Sequence, residues 1–233
     1  MRGFRNENPS NYSLRIVQMK KLICFDLDNT LISSNKAHIR AFEMAFSKNK
    51  LKKVSSKNIE SMLNGRHSHD VVKMLFPKLN DVHIEKIVQD HHYFIKFTAK
   101  HARKIGNVVD TLKKIKGCYK IALVSNCIHK EINVLLKNAK INSKLFDYIV
   151  GKEDVKHSKP YPDEIFKAQH LAHLRADFMV GDSIYDVIAA KKAGVKSIAV
   201  LTGLAKAKEL MKYKADYIMN NVNELINLIN KIC

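Results

Sequence analysis

The chain has 233 residues, 46% of them hydrophobic, enough for one large domain or a domain with a sizeable insertion. Its formal charge of +19 comes from 34 Lys against 7 Arg spread over the whole length. A scattered, Lys-dominated excess reads as compositional habit rather than as a groove for a phosphate backbone, so nucleic acid is not an expected partner. No apolar run reaches a membrane span and residues 1–7 lack the apolar stretch of a signal peptide, so a cytoplasmic protein without membrane contact is expected.

Residues 1–19 are polar and aperiodic and are expected to form a flexible tail. From Lys21 the apolar run Leu22-Ile23-Cys24-Phe25 leads into Asp26 and Asp28, as in a strand buried on both faces of a parallel sheet. Alternation along a strand places the two carboxylates on one side, at the carboxyl end where open parallel sheets bind ligands. Paired carboxylates repel, so a cation or a shared proton is the expected reason to keep them.

After Thr30 the chain stays away from the sheet for about ninety residues, where a strand-helix-strand unit needs roughly thirty. Apolar positions at Ala37, Ala41, Phe42, Ala45 and Phe46 predict a helix over 36–47, and Val82 to Ile95 predict another over 80–99. Between them lie shorter apolar groups broken at Asn64-Gly65 and Pro77. An all-helical insert over 34–105 is expected, dividing a core of 20–33 and 106–233.

The sheet is expected to resume over 117–126, with a helix over 130–138 and a third strand over 146–150. Pro162 opens a helix over 163–174, and 176–182 is a fourth strand ending in Asp182. Ser183 to Ala193 reads as a helix stopped by Gly194. Strands over 197–201 and 216–219 and a closing helix over 222–232 complete an α/β, doubly wound, mostly parallel sheet. Cys24, Cys118, Cys127 and Cys233 show no paired spacing and are expected as reduced thiols, Cys24 and Cys127 as small apolar residues. Adjacent His91 and His92 fall on different helix faces and make a poor metal pair.

Polar residues recur at the strand ends: Asp26 and Asp28, Ser125-Asn126, Lys159 in the loop before a helix, then Gly181-Asp182-Ser183-Ile184-Tyr185-Asp186. In that order they resemble the four motifs of the haloacid dehalogenase-like hydrolases, over essentially all of 20–230. The segment Ser158 to Phe166 and the position of the insert resemble the phosphoglycolate phosphatase and beta-phosphoglucomutase branch, which carries a helical cap.

The resemblance implies a Rossmann-like core and a Mg2+-dependent phosphatase acting on a small phosphorylated metabolite, as a monomer or homodimer. Asp26 is then the nucleophile that forms an aspartyl-phosphate, Asp28 the general acid and base, and Lys159 the charge stabiliser. Ser125 and Asn126, with Lys159, would bind phosphoryl oxygens. Mg2+ would be held by Asp26, Asp28 through its carbonyl, Asp182 and Asp186. Thr30 would hold the turn that aims both aspartates. Arg66 and His69 in the insert and His38 near the hinge are the candidates for substrate choice. Asn29 stands where glycine is commonest in the family, and Asp28 argues against dehalogenation, which has no leaving alcohol to protonate. The alternatives are a phosphomutase or sugar-phosphate phosphatase and, from another class, a basic nucleic-acid-associated protein with an inactive site.

Overall fold

A computed structural model describes residues 21–230. The tail expected over 1–19 lies outside the described residues, as does the end of the closing helix.

The first strand, β1 (Lys21–Phe25), has Leu22, Ile23, Cys24 and Phe25 without solvent exposure. Ile23 and Phe25 pack with Leu112, Leu135 and Leu225 on one face, and Leu22 and Cys24 with Ile165, Ala168 and Ala189 on the other. Two-sided burial is what an unbroken apolar run requires, at about 1.5–3 kcal/mol for each large side chain removed from water.

The chain leaves through β2 (Ile32–Ser33) and returns through β3 (Arg103–Lys104), which pair antiparallel. Two-residue strands carry no readable periodicity, and neither was expected. Four helices lie between them: α1 (Asn35–Lys48), α2 (Ser56–Leu63), α3 (Ser68–Leu75) and α4 (Asp81–Thr98). Phe42, Phe46, Ile59, Val71, Ile84 and Ile87 give this bundle its own apolar core. The Ser55 hydroxyl accepts from Asn58 N to start α2, and the Asn80 side chain accepts from His83 N to start α4.

Helix α5 (Val108–Ile115) precedes β4 (Tyr119–Val124). Sequence reading passed over α5, although Val108, Leu112 and Ile115 are spaced to bury one face. Then follow α6 (His129–Asn138), β5 (Tyr148–Val150), α7 (Asp163–Ala172), β6 (Ala176–Gly181) and α8 (Ile184–Ala193). The chain ends with β7 (Lys196–Val200), a short α9 (Ala207–Lys212) that was also missed, β8 (Tyr217–Met219) and α10 (Leu225–Ile229). The closing helix expected from 222 opens instead as a 3-10 turn over Val222–Glu224.

Among the described residues, six strands form one parallel sheet in the order β5-β4-β1-β6-β7-β8. Phe25 pairs with Leu123 on one side and Val180 on the other, so the ends of β1, β4 and β6 stop side by side. The chain winds outward from β1 to β5 and then returns across β1 to β6, which makes this the switch point of the sheet.

Cys24 and Cys127 are free and buried. Cys118 is disulfide-bonded, which corrects the expectation of a reduced thiol there. It is half-buried in the turn ahead of β4, and local spacing is blind to pairing between distant cysteines.

Candidate active site

Asp26 N donates to Val180 O at 2.9 Å, which carries the ladder one residue past β1 and fixes the Asp26 backbone against β6. The chain then turns: Leu31 N and Ile32 N both donate to Leu27 O, at 3.0 and 3.1 Å. Asn29 sits at φ 57°, a left-handed conformation that Asn tolerates better than most residues, so it can stand where the family prefers glycine. The Thr30 hydroxyl does more than hold its own turn, since it donates to Asp182 Oδ1 at 3.4 Å and ties the ends of β1 and β6 together.

Lys159, 2% exposed, reaches into this junction from the loop ahead of α7. Its ammonium donates to Asp26 Oδ1 at 2.6 Å, Asp186 Oδ1 at 2.9 Å and Val124 O at 3.1 Å. Burial opposes its charge, but Asp186 and Asp26 hold its pKa well above the lysine value. The other oxygen of Asp186 accepts from Ser183 N at 3.0 Å and Ser183 Oγ at 2.6 Å, a capping box at the start of α8. Asp186 is therefore anchored through both oxygens. Asp182 lies so close to Gly203 that a Cβ there would overlap its carboxylate.

Asp26, Asp182 and Asp186 each offer a carboxylate oxygen within 4.8 Å of the others. Three carboxylates face one paired cation, Lys159, among the described residues. Burial and the neighbouring carboxylates push the pKa of both Asp26 and Asp182 up, against the pull of Lys159. A set of hard oxygen donors with unbalanced negative charge, closed off by a glycine, fits a divalent cation such as Mg2+.

Asp28 lines the same cavity and meets His38 of α1, with His38 Nε2 3.3 Å from Asp28 Oδ1. Burial works against the Asp28 carboxylate, but the charge and hydrogen bond of His38 hold its pKa at about 2. Burial likewise opposes the imidazolium, while Asp28 and Glu131 raise the His38 pKa. The chain of rings continues: His38 Nδ1 is 3.2 Å from His91 Nε2, and His91 Nδ1 is 3.4 Å from Glu131 Oε1 of α6. His92 Nδ1 meets the same Glu131 oxygen at 2.8 Å. The adjacent spacing that makes His91 and His92 a poor metal pair does not show that both reach one carboxylate, Glu131.

The remaining expectations divide. Arg66 lines the cavity from the turn between α2 and α3, beside Gly65 and Ser68. Gly65 has φ +72°, and a Cβ there would come within 2.6 Å of Ser183 Oγ, so the insert presses its backbone onto the core at this point. His69 is not brought to the cavity: its side chain is 38% exposed and 3.8 Å from Asp70, which corrects its place among the candidates. The third residue of the Arg66-to-His69 stretch, Ser68, begins α3, and the helix carries His69 round to the outside. Ser125 is buried behind the cavity wall, where its hydroxyl accepts from Cys127 N at 3.2 Å. The Asn126 amide donates to Gly65 O at 3.0 Å and Lys159 O at 3.2 Å, so here its nitrogen clamps the insert to the core. Cys127, expected as a small apolar filler, instead donates its thiol to Asp28 Oδ2 at 3.2 Å.

The sequence profile of the haloacid dehalogenase-like hydrolases matches residues 23–200, most of the chain. This chain belongs to that family. The haloacid dehalogenase-like hydrolase is 27% identical over 221 residues to the pyrophosphatase PpaX of Bacillus mycoides, covering 90% of this chain and 97% of that one. Its fold is that of a putative haloacid dehalogenase-like hydrolase from Bacteroides fragilis, with a TM-score of 0.81 at 23% identity, over 88% of this chain and 99% of the other. A predicted phosphoglycolate phosphatase from Haemophilus somnus superposes with a TM-score of 0.77 at 22% identity, over 92% and 99% of the two chains. Among the described residues of this hydrolase, no helix is long and apolar enough to cross a membrane.

Proposed function

We propose that this haloacid dehalogenase-like phosphatase hydrolyses a small phosphorylated metabolite in two displacements at Asp26, with Mg2+ as its cation and the helices of 34–105 as a cap. The observation that carries the reading is the Lys159 ammonium 2.6 Å from Asp26 and 2.9 Å from Asp186, inside a cavity also lined by Asp28 and Asp182.

Asp26, held by β1 and β6, attacks phosphorus and the bond to the leaving oxygen breaks. Lys159 keeps positive charge beside the oxygen atoms whose charge changes most in the transition state. The leaving oxygen takes its proton from the Asp28–His38 pair, in which the proton rests on His38 and passes through Asp28. In the second displacement water attacks the aspartyl-phosphate, and Asp28, already ionised, accepts the water proton. The carboxylates of Asp26 and Asp182 and the Asp28 carbonyl would hold Mg2+, with Asp186 on a bound water. Mg2+ supplies the positive charge that lets a carboxylate approach a phosphate dianion.

Arg66 faces this centre from the insert and suits a substrate with a second anionic group. That group is a carboxylate in phosphoglycolate and a second phosphate in pyrophosphate, the substrate in the name of the Bacillus mycoides relative. A panel of phosphoglycolate, pyrophosphate and sugar phosphates with Mg2+ tests the substrate class. Preference for a sugar phosphate with no second anionic group would remove Arg66 from the reading, and a requirement for a bisphosphate would reveal a phosphomutase. Retained turnover of p-nitrophenyl phosphate by Asp26→Asn would overturn the mechanism.

A further inference from the structure

Cys127 is a free thiol in the wall of the cavity, and its neighbours there are an imidazole and a carboxylate. Its Sγ is 3.2 Å from Asp28 Oδ2, and His38 Nε2 is 3.3 Å from Asp28 Oδ1. One donor atom from each of the three lies within 4.8 Å of the other two. We propose that Asp28, His38 and Cys127 form a second metal site, selective for a thiophilic divalent ion of the Zn2+ class, and that its occupation blocks turnover.

The donor set separates this site from the carboxylate cluster. Sulfur, nitrogen and oxygen together suit Zn2+, whereas Mg2+ takes oxygen ligands. The spacing suits it too. Tetrahedral bonds of about 2.0–2.3 Å put ligand atoms roughly 3.3–3.7 Å apart, so small side-chain shifts close the site. Three protein donors leave the fourth position to a water or a phosphate oxygen in the cavity.

The ligands are also held from behind, as metal ligands usually are. His38 Nδ1 is engaged by His91 Nε2 at 3.2 Å, so Nε2 is the nitrogen left for the cavity. The His91 ring is fully buried and stacked on Phe42 with centroids 4.0 Å apart. Cys127 is braced through its backbone N–H to Ser125 Oγ. The three ligands come from the turn after β1, from α1 and from the turn after β4, so occupation would also tie the insert to the core. Binding displaces the thiol proton and the His38 Nε2 proton to solvent and involves no change of oxidation state. Loss of turnover follows from the role given above to Asp28 and rests on that reading; the binding itself does not.

Co2+ is the probe, added to the purified full chain in excess Mg2+. The expected result is one equivalent of Co2+ with an intense near-ultraviolet thiolate-to-cobalt band, bleached by Zn2+, absent in Cys127→Ser and retained in Cys24→Ser. Zn2+ inhibition of Cys127→Ser, scored against its own Mg2+-only rate, should weaken about tenfold or more. A wild-type protein with no thiolate band, or a band that survives in Cys127→Ser, overturns the site. Should Cys127→Ser fail to fold, X-ray absorption at the zinc edge of the wild type decides: one sulfur with nitrogen and oxygen neighbours upholds it, and oxygen alone overturns it. The cobalt band needs no turnover, so an inactive wild type would sink the phosphatase reading and leave this one to the spectrum.

Discussion

On the core side of the cavity each acidic side chain is held from more than one direction, whereas on the insert side Arg66 donates once, to Met62 O near the end of α2 at 3.3 Å. Asp26 is fixed by the β6 ladder and Lys159, Asp186 by Lys159 and Ser183, and Asp182 by Thr30 and the close backbone of Gly203. Chemistry common to every substrate thus sits on strand ends, where backbone hydrogen bonds set positions closely. On the proposed reading, choice of leaving group falls to the turn that meets the core through Gly65 and Asn126. The comparison predicts that core substitutions abolish rate and insert substitutions redistribute it among substrates.

The largest effect is expected at Asp26. Asp26→Asn should lower turnover of p-nitrophenyl phosphate at least about a thousandfold, read in a steady-state assay at fixed Mg2+. Chelation should reduce wild-type turnover to background and Mg2+ should restore it. In a melting experiment, Mg2+ at about 100 times its dissociation constant should stabilise the fold by about 3 kcal/mol.

Lys159→Met should cost about a hundredfold or more in rate and about 3–5 kcal/mol in stability, because it strands two buried carboxylates. The stability loss has a sign in pH. Without Lys159 the Asp26 pKa rises further above its ordinary 3.8, so the folded state binds the extra proton and the deficit shrinks as pH falls. Denaturant melts across pH would show it, and a deficit that grows towards acid would contradict the assignment.

Arg66→Ala is expected to be milder and selective, raising KM for a substrate with a second anionic group about tenfold and moving p-nitrophenyl phosphate much less. Equal losses on both would make Arg66 structural. The last effect belongs to the hinge pair and is read in stability. The depressed Asp28 pKa stabilises the fold above 3.8 and loses that contribution as pH falls towards about 2; the raised His38 pKa contributes fully below 6.5 and loses it as pH rises. His38→Asn should therefore cost about 2 kcal/mol, with its maximum between those two limits. A flat difference across pH would mean that the pair is not an ion pair.

Much of this was legible along the chain. Hydrophobic periodicity located the strand ends, and Asp26, Asp28, Lys159, Asp182 and Asp186 could be named there because, with Ser125 and in chain order, they resemble the four motifs of the family. The main insert helices were legible from the same periodicity. Helices α5 and α9 escaped because they are short, and the β2–β3 pair because two residues make no pattern. His69 was misplaced because proximity in sequence to Arg66 says nothing of which side of a helix start a residue faces. Cys127 reads as an apolar filler and Glu131 carries no signal in the sequence because their partners lie far away in the chain: Cys127 meets Asp28, and Glu131 meets His91 and His92.

By itself the sequence determined the alternation of the main strands and helices and the two-sided burial of β1, which follow from local periodicity, and its motifs, through their resemblance to the family's, the residues for phosphate chemistry. Only the tertiary structure decided that Lys159 bridges Asp26 and Asp186, and that a histidine from the insert and a thiol from the core meet at Asp28. The physical reason is that alternation and helical period act over a few residues. Strand register and the seating of the insert bring together side chains more than a hundred positions apart, 133 for Lys159 and Asp26 and 152 for Thr30 and Asp182, and it is at those distances that charges pair and pKa values move.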